Sequence, residues 1–171
     1  ATATAAPAAK TYKLAALFPG TVTDADYNTL GYLAAQAVQG ELGVKMAFSE
    51  NVAVPDVERV MREYVDQGYT IVWTHGSQFI TQTKNVAKQF PNVIFVAETD
   101  APDPEATANV WILDRNFHIG YYALGYLAAK TTKTGKIGYL SGLTLPFSYA
   151  EYHAVEQALK DTNSKATLKG V

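Results

Sequence analysis

The stretch that decides the fold reads Leu14-Ala-Ala-Leu-Phe-Pro-Gly-Thr-Val-Thr-Asp-Ala-Asp-Tyr-Asn28. An apolar run halts at Phe18-Pro19-Gly20, a polar loop with one aromatic follows, and an amphipathic helix starts near Asn28. In an open α/β sheet, a buried parallel strand delivers such a loop to the carboxyl edge, where these folds bind ligands. The loop offers the carboxylates of Asp24 and Asp26, the amide of Asn28 and the ring of Tyr27. It holds no histidine, cysteine or serine–base pair. Those groups suit holding a flat polar molecule better than cutting one.

Outward from this stretch, strands and helices alternate. Strand candidates are Lys13–Phe18, Val44–Ser49, Thr70–Thr74, Asn92–Glu98, Asn109–Leu113 and Lys136–Ser141, with a seventh starting at Ala166. Between them the apolar residues recur at helical spacing. The first helix carries Leu30, Leu33, Ala34, Ala37, Val38 and Leu42 on one face, the second Val57, Val60, Met61, Tyr64 and Val65. Ile80, Val86, Ala87 and Phe90 mark the third helix, Tyr121, Leu124 and Ala128 the fourth, and Phe147, Ala150, Ala154, Val155, Ala158 and Leu159 the fifth. This order predicts an α/β protein with mainly parallel, doubly wound sheets covered on both faces.

Five strands complete a domain of ordinary size over 11–113. Residues 114–171 supply only two strands and two helices, and a two-stranded parallel sheet leaves a face and both edges unsatisfied. The second region therefore reads as a partial α/β lobe. Residues 1–10, small and of low complexity, read as a flexible tether with neither the basic start nor the apolar middle of a signal peptide. An exported protein with this sequence would have lost its signal ahead of residue 1.

The 171 residues carry a formal net charge of −2 with 18% charged side chains, which points away from nucleic acid and anionic membrane as partners. There is no cysteine, so disulfides, thiolate nucleophiles and zinc–sulfur sites are excluded. No apolar stretch is long enough to span a bilayer.

Familiar catalytic signatures fail on their spacing. A phosphoacceptor domain needs acids at the ends of strands one and three, which instead end in Phe18-Pro19-Gly20 and Thr74-His75-Gly76. No G-x-G-x-x-G follows any strand. Lys133–Lys136 lacks the first glycine and the final hydroxyl of a phosphate loop, and Ser141 misses the nucleophile-elbow spacing by one position. The acids Asp24, Asp26, Glu98, Asp100 and Asp103 show no fixed ligand spacing and read as solvated loop residues rather than metal ligands.

His75 stands at the carboxyl end of strand three beside Gly76 and Ser77, where a helix begins and its amides can meet a polar ligand. A surface-turn histidine is the plain alternative. His118 and His153 read as helix-surface residues. Most of the eleven tyrosines fall on helix faces and read as core. Phe18 and Tyr27 differ, since they flank the first loop. A ring at that loop together with a carboxylate accepting N–H or O–H groups suits a purine or nucleoside, with stacking worth roughly 1 kcal/mol beyond area burial.

Phe18–Asn28 resembles the first loop of the basic membrane protein (BMP) family, also called PnrA-like solute-binding lipoproteins. Asn51–Gly68, His75–Phe95 and Tyr126–Gly142 agree with the same family in the same order. The resemblance implies a two-lobed type I periplasmic-binding-protein fold, serving an ABC importer by docking on its permease. It implies a purine nucleoside or nucleobase held between the lobes, which close at a hinge near 113–116. By position, Asp24 and Asn28 would contact base or sugar, and Tyr27 would be the stacking ring. Gly76, Ser77 and Phe79 correspond to the loop after strand three, and Leu143–Phe147, with Phe147 in the ligand-binding set, to the second lobe's contribution; the family's second stacking ring and ribose-binding acid would lie in the chain beyond residue 171. Asp114–Phe117 departs from the family pattern, although Asp114 stays on the ligand-binding set with Phe18 and His75. Family members have about as much chain again, which would complete the second lobe.

The reading is thus an extracytoplasmic receptor, periplasmic or at the cell surface, with any lipid anchor upstream of residue 1, no cofactor, no metal and no catalysis. One alternative is a sensor that presents its ligand to a membrane receptor. Another is a nucleoside hydrolase or transferase using His75 and Asp24 as acid and base.

Overall fold

The computed structural model describes residues 11–99, 103 and 105–170; the tether reading for 1–10 and the acid Asp100 lie outside them. Seven strands and five helices follow in order: β1 (Lys13–Leu17), α1 (Tyr27–Leu42), β2 (Lys45–Ser49), α2 (Val57–Asp66), β3 (Ile71–Thr74), α3 (Ile80–Ala87), β4 (Ile94–Glu98), β5 (Val110–Leu113), α4 (Phe117–Thr131), β6 (Lys136–Tyr139), α5 (Pro146–Asp161) and β7 (Thr167–Gly170). A 3-10 turn, Ser77–Phe79, leads into α3. The chain folds as α/β with parallel sheets.

Two compact units form. One runs to Ala97 and takes in Glu105–Trp111; the other comprises Ile112 onward with Glu98, Thr99 and Asp103. The five-stranded sheet has the order β2-β1-β3-β4-β5. β1 pairs in parallel with both β2 and β3, Leu14 lying beside Met46 on one side and Ile71 on the other. β3 pairs in parallel with β4, Val72 beside Phe95.

β1 is the central strand, and side chains on successive residues point to opposite faces. Leu14, Ala16 and Phe18 form a core with Ala35 of α1, joined by the partly buried Tyr32, Met46, Ile71 and Trp73. Ala15 and Leu17 are fully buried on the other face, where Val57 and Met61 of α2 and Val86 of α3 are buried too. A hydroxyl pair, Thr74 and Thr83 at 2.8 Å, satisfies two polar groups inside that layer. Asn109 ties the end of α3 to β4: its Nδ2 lies 2.9 Å from the carbonyl of Val93 and 3.1 Å from those of Ala87 and Phe90.

Helix α1 reverses the face its periodicity predicts. Leu30 (64% exposed), Leu33 (52%) and Leu42 (71%) are turned outward, and the buried residues are Asn28, Gly31 and Ala35. Small residues win the sheet side because they let the helix axis approach β1 and leave room for His75. Gly43, at φ 65°, ends the helix by donating its N–H to the Gln39 carbonyl.

In the second unit β6 and β7 pair in parallel, Tyr139 beside Gly170. α4 and α5 pack at close range through Gly125, where a methyl group would stand 2.9 Å from Val155 Cα and 3.0 Å from Ala158 Cβ. Of the predicted α4 stripe, Tyr121 and Ala128 are half-buried, while Leu124 is 58% exposed. The tyrosines are less interior than their spacing implies: Tyr69 and Tyr139 are buried, but Tyr12, Tyr126 and Tyr149 are exposed.

Candidate functional site

In the order β2-β1-β3, the chain leaves β1 toward one side of the sheet and β3 toward the other. The carboxyl ends of β1 and β3 therefore form a topological switch point, the place where open α/β sheets bind ligands. Two loops meet there, 18–26 after β1 and 75–79 after β3.

The first loop is braced from several sides. The N–H of Phe18 donates to the Ser49 carbonyl at 2.9 Å, and that of Val52 to the Phe18 carbonyl at 3.0 Å. Glu50 accepts from the N–H of Val22 at 2.8 Å and from the Thr21 hydroxyl at 3.2 Å.

Asp24 organises the rest of the loop. Its carboxylate accepts from the main-chain N–H groups of Asp26, Asn28 and Thr29, each at 3.0 Å, and from Asn28 Nδ2 at 2.7 Å. Asp26, the residue before α1, makes no side-chain cap, so Asp24 satisfies the helix's free donors from two residues further upstream. These donors, the Thr29 N–H first, hold its carboxyl well below the usual aspartate range. Asn28 is buried, and its Oδ1 also accepts from the Gly20 N–H at 3.4 Å.

Tyr27, the first residue of α1, is half-buried and stacks on His75, ring centroids 4.0 Å apart and planes at 24°. The Nε2 of His75 lies 3.0 Å from the Tyr27 carbonyl, and its main-chain N–H donates to the Leu17 carbonyl. The imidazole also meets the rings of Phe18 and Trp73 edge-on at 5.4 and 5.3 Å. His75 is 4% exposed, which rules out the surface-turn alternative.

Gly76 and Ser77 are buried at the turn into α3. Phe18 and Phe79, expected at the ligand surface, are both fully buried and form the core beneath it. The structure thus brings Tyr27, Asn28, His75 and Ser77 to the ends of two neighbouring strands.

Asp114 and Phe147 belong to the second unit. Asp114 is exposed and accepts the Asn116 N–H at 2.8 Å, shaping the turn into α4; Phe147 is half-buried in the first turn of α5. A cavity of about 430 Å3 lies here, lined by Tyr139, Ser141, Leu143, Ser148 and Tyr152 among others. Tyr139 donates to the buried Glu151 at 2.6 Å, and burial first, this bond second, push its phenol up to about 12.

Sequence reasoning underrated two groups. Glu98, read as a solvated loop acid, is the last residue of β4, 3% exposed and paired with Arg115 at 3.0 Å. The signal was its place directly after the apolar run Ile94–Ala97, in which Phe95 and Ala97 are buried. His118, read as a surface residue, is half-buried with its Nδ1 enclosed. Among the described residues, no three His, Asp or Glu side chains gather around a common point, and no helix is long and apolar enough to cross a membrane.

Parallel α/β units of this kind are found in solved solute-binding proteins of ABC transporters. An ABC transporter solute-binding protein from Conexibacter woesei superposes with a TM-score of 0.66 at 26% identity, over 94% of this chain and 54% of that one. The chain belongs to the PnrA-like family of ABC transporter substrate-binding proteins, whose Bmp model matches residues 11–169. Among curated relatives, basic membrane protein A1 of Borrelia garinii subsp. bavariensis is 27% identical over 77% of this chain and 39% of its own. A purine-binding protein of Brucella abortus is 32% identical over 60% of this chain and 29% of its own. The chain thus spans well under half the length of these curated relatives.

Proposed function

We propose that this chain carries ligand-binding machinery of an extracytoplasmic receptor that delivers a purine nucleoside or nucleobase to the permease of an ABC importer. The observation that carries this reading is the half-buried ring of Tyr27, held at the switch point between β1 and β3. A fixed aromatic face is the element a purine needs, since stacking tolerates any base and loses little entropy when the ring is already placed. Asn28 and Ser77 supply amide and hydroxyl chemistry nearby. The name of the Brucella relative supports the purine class. Asp24 serves the site by building the loop, because its oxygens already accept from three main-chain N–H groups, the Asn28 amide and the Thr29 hydroxyl.

Equilibrium dialysis against adenosine, guanosine, inosine and adenine, with chromatography of the recovered ligand, tests the reading. Saturable binding at one ligand per protein with the ligand unchanged supports it. Release of free base and sugar overturns it in favour of the hydrolase, and failure to retain any of the four overturns the ligand class.

A further inference from the structure

His75 does not offer itself to a ligand. It is 4% exposed, and its ring is packed by Tyr27 on one side and by the edges of Phe18 and Trp73 on others. Its placement relative to α1 is specific. Tyr27 and Gly31 are four residues apart and share one helix face. The imidazole stacks on the first and reaches into the gap left by the second, where a methyl group would come within 2.8 Å of its Cε1 and Nε2. Nε2 then meets the carbonyl of the same tyrosine at 3.0 Å. One side chain of β3's loop thus grips both the ring and the main chain of Tyr27.

We propose that His75 is a positioning residue for ligand binding: it acts through Tyr27, fixing that ring in one orientation at the switch point, without touching the ligand. This rests on the reading above that Tyr27 stacks on the ligand. Tyr27 is the first residue of α1, so no preceding helical turn packs against its ring. The imidazole restrains the ring through the stack and the main chain through the carbonyl contact, so the ring meets a ligand already ordered.

The test is a double-mutant cycle read by titration with adenosine. Tyr27→Ala and His75→Ala should each weaken binding about tenfold, the weight of one well-placed aromatic pair. The double variant should bind no more weakly than Tyr27→Ala alone, because His75 has nothing left to position. His75→Phe, which keeps a flat ring in the same slot, should recover most of the loss. Multiplied effects in the double variant, or wild-type affinity in His75→Ala, would overturn the proposal while leaving the role of Tyr27 intact. Unchanged affinity in Tyr27→Ala would instead remove the reading on which it rests.

A second readout needs no ligand. Three-bond NMR couplings of Tyr27 should report one χ1 rotamer in the wild type and in His75→Phe, and averaging in His75→Ala. A single rotamer in His75→Ala overturns the proposal whatever the protein binds.

Discussion

Gly31 of α1 lies against the ring of His75 so closely that a Cβ there would stand 2.8 Å from the imidazole's Cε1 and Nε2. The helix and the loop after β3 are therefore fitted to each other at a single hydrogen atom. In helix propensity alone, Gly31→Ala would gain about 1 kcal/mol. Overpacking a buried ring costs roughly 1–3 kcal/mol, and His75 has Phe18 and Trp73 around it and no room to retreat. The expected result is a net loss of about 1 kcal/mol, read as a lower urea midpoint at unchanged slope. A gain in stability would mean that the ring moves aside freely.

Two glycines of α4 should respond with opposite signs. At Gly125 an added methyl group meets Val155 Cα, which is main chain and can yield only if the helices separate. Gly125→Ala should cost about 1–3 kcal/mol. At Gly120 nothing lies within 4 Å of the added atom, so Gly120→Ala should stabilise by up to about 1 kcal/mol from helix propensity. Chemical denaturation of both variants, followed by circular dichroism, checks the pair.

Asp24 makes the first loop acid-sensitive. Its carboxyl is held below the ordinary aspartate range by the N–H groups of Thr29, Asp26 and Asn28, so the ionised form is the one that stabilises the fold. That contribution is complete above the unfolded value near pH ~4 and fades as the pH falls toward the lower folded value. Asp24→Ala should unfold at lower temperature than wild type at pH 7, with the gap narrowing only below about pH 4. Thermal melts from pH 7 to pH 2 test this; a gap independent of pH would show that ionisation of Asp24 does not matter.

Tyr139 and Glu151 make the corresponding alkaline prediction. The phenol is raised to about 12, so the bond it donates persists through the neutral and mildly alkaline range. Its stabilising contribution is intact below about pH 10 and lost as the pH rises toward 12. Tyr139→Phe leaves the buried Glu151 without this donor and should cost about 1–3 kcal/mol at pH 7. In an ultraviolet titration it should remove tyrosinate signal only at the top of the range, near pH 12.

Much of this protein is determined by its sequence alone. Alternating apolar runs and helical stripes locate the seven strands and five helices of the described residues to within a few residues, because burial period and turn chemistry are local properties. The same local reading places a polar aromatic loop at the end of β1 and a His-Gly-Ser turn at the end of β3. The family resemblance rested on those same stretches, with residues 11–169 matching its model.

What the tertiary structure alone decided is which atoms are occupied. Nothing in the period of α1 says that Gly31 and Ala35, rather than Leu30 and Leu33, face the sheet; that choice follows from how closely the helix must approach β1. Asp24 reads equally well as a ligand group or a loop brace until its oxygens are seen to accept from Asp26, Asn28 and Thr29. Tyr27 and His75, forty-eight residues apart, form a stack only because β1 and β3 are neighbours in the sheet. Helices and strands are written in neighbouring residues, whereas a site is made of partners that distant residues bring together.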